Sequence, residues 1–291
     1  MSKRRKSRET APKTKVRDIF VARPFEGLAD EPEWVALREL VPAASARLTL
    51  KPEIAAEYGD RPVTLSTVLP MAWPAMSRQD GHVLIGLQRH VQSGDVSRDL
   101  AVAVLNALGT EPGETVAVPA LPGEGLRLQD ILADGPLEIT MHEGFEYWLD
   151  PEQMQDATVK ASLERANASI YPTVRLAAAK AAYWCRVAAD KSHVRWVLSE
   201  PEDRALDALS RLSASGELLL GADTKFAGMF RAHGLLVPVW DVPGEPEAAD
   251  FEAPLADFAK RYADILAVDE PLDAAARRAK QGLIGRQLTL R

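Results

Sequence analysis

Apolar and polar positions follow two different periods along the chain. Val63 and Leu65 lie on one face of an extended segment, and such alternation is typical of a half-buried strand. Leu100, Val104 and Leu108 recur instead at the spacing of one helix face. Segments of both kinds occur in both halves of the chain, so the pattern predicts an α+β fold.

Turn residues and helix caps set the limits of these elements. Asp30 precedes one helix as a candidate N-cap, and Gly216 and Gly234 follow two others as candidate stops. The predicted strands comprise residues 47–50, 61–69, 82–88, 115–121, 137–148, 172–176, 181–187, 193–198 and 235–242. The predicted helices comprise residues 31–40, 97–108, 126–132, 151–168, 201–213, 224–233, 254–266 and 272–283. Residues 176–182 are rich in alanine and fit a helix equally well.

The order of these elements divides the chain into four parts. Residues 1–22 have almost no apolar side chain before Val16, so we predict a disordered basic tail. The remaining predicted parts are an N-terminal α+β unit at 23–150, a second α+β unit at 151–253 and C-terminal helices at 254–291.

The two α+β units share a spacing of aromatic residues. Nine positions separate Trp73 from His82, and nine separate Trp184 from His193. A predicted helix follows each pair, which suggests two copies of a strand, hairpin and helix unit related by a pseudo-twofold axis. Two Trp and two His residues facing each other across that axis would form a ligand site between the units. The alternative is that both Trp anchor a core and both His have strand neighbours as hydrogen-bond partners.

The distribution of charge along the chain is more informative than the net charge of −7. Residues 1–17 carry +7, residues 272–291 carry +4, and the stretch between them carries −18. A basic arm on an acidic body is typical of a polyanion-binding segment, and a tail that only keeps the chain in solution is the alternative. The candidate nucleic-acid-binding residues are Lys3, Arg4, Arg5, Lys6, Arg8, Lys13, Lys15 and Arg17.

Several types of catalytic or metal site are excluded by missing motifs. The chain has no phosphate loop, no G-x-G-x-x-G opening a helix after a strand, no H-E-x-x-H and no G-x-S-x-G. Cys185 is the only cysteine, which excludes an intramolecular disulfide and a cysteine-rich zinc site. We therefore expect no cofactor and no metal. No run of about 18 apolar residues occurs and the N-terminus lacks the pattern of a secretory signal, so we expect a cytoplasmic protein that does not enter a membrane.

Three weaker groupings could still carry function. His142 and Glu143, with Glu146 and Asp150, form the densest set of candidate metal ligands or acid–base groups. The alternative is a strand that simply exposes these polar residues to solvent. Cys185 and His193 could pair as nucleophile and base, whereas a cysteine in an apolar stretch is usually buried and inert. The helices predicted at 201–213 and 224–233, followed by a strand, could form a winged helix that reads DNA.

Three segments carry a resemblance to a known family. They are residues 20–27 (FVARPFEG), 34–39 (WVALRE) and 230–240 (FRAHGLLVPVW). On these segments the chain resembles an actinobacterial family of unknown function, and the similarity spans nearly the whole length. The resemblance implies no activity and assigns no residue a role. Automated labels on relatives sometimes name a topoisomerase or the SecA translocation ATPase. This chain supports neither label, because it lacks a phosphate loop and cysteine metal ligands and is too short for either machine.

We therefore expect a non-catalytic binding protein whose basic tail contacts RNA, DNA or the ribosome, with a protein partner at the acidic body. The alternative is an enzyme or small-ligand binder whose site lies between the two α+β units.

Overall fold

Two five-stranded sheets and the helices packed on them form the described part of the chain. The computed structural model describes residues 18–118 and 123–285. The first sheet contains β1 (Ala44–Leu48), β2 (Val63–Ser66), β3 (Ala75–Ser77), β4 (Val83–Gly86) and β5 (Ile139–Met141). The second sheet contains β6 (Thr173–Leu176), β7 (Ala182–Ala188), β8 (Lys191–Trp196), β9 (Lys225–Ala232) and β10 (Leu235–Pro243). The α+β fold class is confirmed.

The described helices lie between groups of strands along the chain and after the last strand. With the first sheet lie α1 (Glu31–Glu39), α2 (Pro52–Tyr58), α3 (Val96–Leu108), α4 (Leu128–Ile131) and α5 (Ala157–Asn167). With the second sheet lie α6 (Glu202–Ser215), α7 (Glu252–Leu266) and α8 (Ala274–Ile284). Short 3₁₀ turns occur at Glu146–Trp148, Gln153–Gln155 and Ala248–Phe251.

The two sheets differ in strand order and direction. The first has the order β3-β4-β2-β1-β5, with β2 and β4 parallel and its other pairs antiparallel. The second has the order β6-β7-β8-β10-β9 and is antiparallel throughout. A hairpin followed by a helix occurs in both, but the hairpin's second strand pairs with β2 in one sheet and with β10 in the other. The internal repeat is therefore not confirmed.

Two large apolar clusters stabilise this arrangement. The first surrounds Trp34 and joins α1, α3 and the first sheet to Tyr183, Val197 and Leu235 of the second half. The other lies between the second sheet and helices α6, α7 and α8. Each sheet lies wholly on one side of the boundary predicted at residue 150, yet the first cluster crosses it. The domain limits stay a prediction.

One predicted helix is wrong. Residues 225–232 form strand β9, and it pairs with β10 across a two-residue turn. His233 and Gly234 have φ angles of 47° and 83°, so both central residues of the turn are left-handed, as a tight hairpin requires. This hairpin replaces the second helix of the predicted winged helix, so that DNA-reading arrangement is wrong as well.

Two predicted strands also need correction. Residues 115–118 of the predicted strand 115–121 are irregular, and residues 119–122 lie outside the described part. Of the strand predicted at 137–148, only Ile139–Met141 is extended, and the chain then turns into the 3₁₀ segment Glu146–Trp148. Gly144 lies at this change of direction, where a Cβ atom would require the nearby Glu146 carboxylate to move.

Candidate functional site

A cleft of about 950 Å³ opens beside β3. Its walls are residues 72–80, which comprise the loop before β3, the strand and the turn into β4. Residues 113–116, residues 150–153 and His90 complete the lining. The turn at residues 79–81, predicted from Gln-Asp-Gly, brings β3 and β4 together with Ser77 opposite Val83. The cleft therefore lies at the edge of the first sheet.

Trp73 is the exposed aromatic side chain of this cleft. It is 52% accessible, although tryptophan side chains are usually highly buried. Its indole Nε1 donates to the Ala75 carbonyl at 3.1 Å, and its backbone N–H donates to the Gln88 carbonyl at 3.1 Å. These two bonds fix the indole, so part of the ring is presented to solvent in a defined position.

Carboxylates outnumber cations in the cleft. Arg78 lies between two of them, with its Nε 2.6 Å from Asp150 Oδ1 and its Nη2 3.0 Å from Asp80 Oδ2. Glu114 and Glu152 are exposed and have no ion-pair partner within the described residues. Because Arg78 is already shared by two acids and Glu114 and Glu152 add two further carboxylates, the cleft has a net negative charge.

An apolar groove of about 500 Å³ adjoins the acidic cleft. Trp73, Met76 and His90 line both spaces, so the two are continuous. The groove's walls come from the first sheet, from the 3₁₀ turn at Glu146–Trp148 and from α5. Its apolar lining comprises Val68, Met71, Phe145, Trp148, Leu149, Val159, Leu163 and Ala166. The Trp148 indole N–H donates to the Thr67 carbonyl at 3.2 Å, which holds that wall in place.

This arrangement is suited to binding a ligand with two unlike ends. An apolar chain would lose contact with water in the groove, and a cationic group would meet the Trp73 ring and the carboxylates. Ser77, which also lines the cleft, accepts from Arg61 Nη2 at 2.7 Å and donates to the Glu111 carbonyl at 3.1 Å. Its hydroxyl is therefore occupied and is not poised as a nucleophile.

His82 lies near this cleft but does not line it. It directly precedes β4, and its Nε2 lies 2.8 Å from Thr64 Oγ1. Burial, and then the positive charge of Arg78, lower the pKa of His82 below its ordinary value. The imidazole is a partner of the sheet and is absent from the cleft wall.

Trp184 and His193 lie in the second sheet. Trp184 is 2% accessible, and the apolar cluster around it consists of residues from 176 onward. His193 lies on β8, with its Nε2 3.1 Å from Asp241 Oδ1. Burial, and then the Arg195 charge, lower the pKa of His193. The structure therefore does not bring the four predicted residues into one site, because Trp73 and His82 have other neighbours.

The group around His142 is also dispersed. His142 Nε2 contacts Ser45 Oγ at 2.7 Å, and its ring stacks on Tyr147 at 4.0 Å. Glu146 accepts instead from Asn167 Nδ2 at 2.7 Å, and Asp150 is the partner of Arg78 in the cleft. No set of three or more His, Cys, Asp and Glu side chains in the described ranges is arranged to hold a metal ion.

Cys185 is buried opposite His193 in the β7–β8 pair. Burial raises the pKa of its thiol, so the thiolate needed for nucleophilic attack is disfavoured. The basic residues of the predicted nucleic-acid-binding tail, 3–17, lie outside the described residues.

Comparisons with known proteins add a family but no activity. A protein-family model described as a family of unknown function matches residues 24–291. No curated protein matches the chain, and no solved structure matches it. Within residues 18–118 and 123–285, no helix is long and apolar enough to cross a membrane.

Proposed function

Since the chain belongs to DUF5926, a family of unknown function, we propose from its geometry that it is a non-catalytic protein that binds a ligand with an apolar chain and a cationic end. The observation that carries this proposal is Trp73, which is half exposed where the acidic cleft and the apolar groove meet. A small ligand was also the alternative that the sequence left open. The site proposed for it is now at the edge of the first sheet, and not between the two α+β units.

Three physical contributions favour such a ligand. The groove offers apolar walls, and each buried methylene of a ligand contributes about 0.8 kcal/mol. The indole face of Trp73 attracts a cation by about 0.5–2 kcal/mol, depending on how far the cation is desolvated. Glu114 and Glu152 repel anions and attract cations, so the charged end of the ligand is selected by its sign.

Octyltrimethylammonium, below its micelle concentration, is the probe for this site. We expect isothermal titration calorimetry to detect its binding, and we expect octyl sulfate to bind much more weakly because the cleft is acidic. Replacing Trp73 by alanine should weaken binding of the ammonium probe about tenfold, since about 1.4 kcal/mol of contact with the ring is lost.

The matched control is Tyr171→Ala, which removes an aromatic side chain that is 58% exposed outside both spaces. It should leave the affinity for octyltrimethylammonium unchanged. Equal binding of the ammonium and the sulfate, or equal losses in the two variants, would show that the probes adsorb non-specifically and that the cleft is not a cation site.

A second candidate function rests on the charge of residues 1–17. We propose that this +7 segment contacts RNA, DNA or the ribosome, because the acidic remainder of the chain repels phosphate. A basic segment releases counterions from nucleic acid whether or not it belongs to a folded scaffold.

A salt series tests this second function. Replacing the eight Lys and Arg residues of the tail by Gln should abolish retention of RNA in filter binding at low salt. For the unchanged chain, the logarithm of the affinity should fall with the logarithm of the salt concentration, with a slope of about −0.7 per phosphate contact for single strands. Equal affinity and equal slope for both chains would leave the tail as a solubilising segment.

A further inference from the structure

We propose that residues 1–17 of the same chain occupy the acidic cleft when no polyanion is bound. This inference rests on the proposed cation site, and it names the segment that fills the site in the intact chain. The occupant is the chain's own basic tail, and a second protein or a nucleic acid is not needed.

The path of the chain brings the tail to the cleft. Asp18 is the first described residue, and its Oδ1 accepts from the Gly94 backbone N–H at 2.8 Å. The Val21 N–H donates to the Gly94 carbonyl at 2.8 Å, so this segment is fixed at the loop that follows β4. His90, four residues before Gly94, lines the cleft and the groove.

The distances are short compared with the reach of the tail. Four residues span at most about 14 Å, so the Cα atom of Gly94 lies within that distance of the Cα atom of His90. Residues 1–17 can span up to about 55–60 Å when extended. The tail is therefore long enough to extend from Asp18 to His90 and into the cleft that His90 lines.

The charges of the two partners are complementary. The tail carries +7, and the cleft has the carboxylates of Asp80, Glu114, Asp150 and Glu152 around the single guanidinium of Arg78. A Lys or Arg side chain over the Trp73 ring would add a cation–π contact. Because the tail is covalently linked, its effective concentration at the cleft is in the millimolar range, so contacts with a dissociation constant below about 1 mM are enough to keep it bound.

This arrangement couples the two proposed functions. The same Lys and Arg side chains cannot neutralise the cleft and a polyanion at once. A polyanion would therefore compete with the cleft for the tail, and a cationic ligand would compete with the tail for the cleft. Linkage requires the two effects to be equal in free energy.

A paramagnetic label on the tail of the full chain tests the inference. The label is attached to Ser7→Cys, and Cys185 stays unlabelled because it is 3% accessible and burial raises the pKa of its thiol. Tryptophan is replaced by 5-fluorotryptophan, and the Trp73 signal is identified by its loss in Trp73→Phe. We expect the label to broaden the Trp73 fluorine signal at about 0.1 M salt, and a dilution series separates contact within one chain from contact between chains.

Salt and charge variants define the cause of the broadening. Raising the salt to about 1 M shortens the Debye length from about 10 Å to about 3 Å and should remove it. Glu114→Gln with Glu152→Gln should also remove it. The matched control is Asp257→Asn with Asp264→Asn, which changes the net charge equally at exposed positions of α7. In this control the broadening of the Trp73 signal should persist.

The possible outcomes separate this inference from the proposed function. An unbroadened Trp73 signal at low salt, with normal binding of octyltrimethylammonium, would overturn the docking of the tail alone. Broadening that survives in the Glu114 and Glu152 variant would also overturn it. A chain whose tail charges are replaced by Gln and which still binds no ammonium probe would overturn the proposed ligand function while leaving the docking result intact.

Discussion

Glu33→Ala is expected to destabilise the fold by about 2–4 kcal/mol, because two buried hydrogen-bond donors lose their acceptor. Glu33 lies in α1 and is 0% accessible. Its carboxylate accepts from the Tyr183 hydroxyl at 2.7 Å, from the Ala181 N–H at 3.1 Å and from Arg175 Nη2 at 2.6 Å. These bonds join α1 to the second sheet, so we expect the loss to affect the contact between the two halves.

The buried partners decide the size of this effect. The Arg175 side chain is 38% accessible and can regain water, so the ion pair itself contributes little of the loss. The Tyr183 hydroxyl and the Ala181 N–H cannot be rehydrated without opening the core. Burial, and then the charge of Glu33, raise the pKa of Tyr183 well above its ordinary value, so it stays a hydrogen-bond donor at neutral pH.

Urea unfolding of the full chain measures the effect on stability. The control is Glu53→Ala, which removes an exposed carboxylate from the first turn of α2 and should change stability by no more than about 0.5 kcal/mol. If both variants unfold at the same urea concentration, the contacts of Glu33 with the second sheet contribute nothing to stability, and the structural argument is wrong.

Several elements could be predicted because their signals are local. α6 begins after Pro201 and ends at Gly216, whose φ of 79° needs a residue without a side chain. α3 begins after Asp95, which accepts from the Arg98 N–H, and its apolar residues recur at helical spacing. In both cases the caps and the periodicity lie within one stretch of the sequence.

β9 could not be predicted from periodicity because both of its faces are buried. Phe226, Met229 and Phe230 are spaced like one side of a helix, which explains the wrong prediction. In the structure Phe226 and Met229 pack in the cluster beside α7, and Phe230 packs in the cluster around Trp34. Contacts with two separate apolar clusters therefore stabilise the strand. A short stretch of sequence does not show which cluster each side chain joins.

The candidate site was only partly visible in the sequence for a similar reason. The spacing from His82 predicts Trp73 as a site residue, but the structure places Trp73 in a cleft that His82 does not line. The pair of Arg78 and Asp150 joins residues 72 positions apart. Such pairs follow from the fold. The local signal for this cleft is the Gln-Asp-Gly turn at residues 79–81, which follows Trp73, an aromatic residue outside any strand.

Gly86→Ala is expected to displace Trp73 and to lower both stability and ligand affinity. A Cβ atom on Gly86 would lie 1.6 Å from the carbonyl oxygen of Trp73 and 2.8 Å from its carbonyl carbon. The obstacle is backbone, which cannot rotate away as a flexible side chain can. The loop must move, and the bonds from the Gly86 N–H to Pro74 and from the Trp73 N–H to Gln88 cannot both survive.

We expect a loss of about 1–3 kcal/mol in stability, the range found when a packed interior is overfilled. Binding of octyltrimethylammonium should weaken about tenfold or more, since the indole loses its fixed position over the cleft. Both quantities are measured on the same sample, by urea unfolding and by calorimetry at a temperature where the variant is folded.

Gly135→Ala is the matched control, because a Cβ atom there meets nothing within 4 Å and the residue has no positive φ. A folded Gly86→Ala variant that binds the probe as tightly as the unchanged chain would show that the position of Trp73 does not determine binding. The proposed role of Trp73 in the cleft would then be wrong.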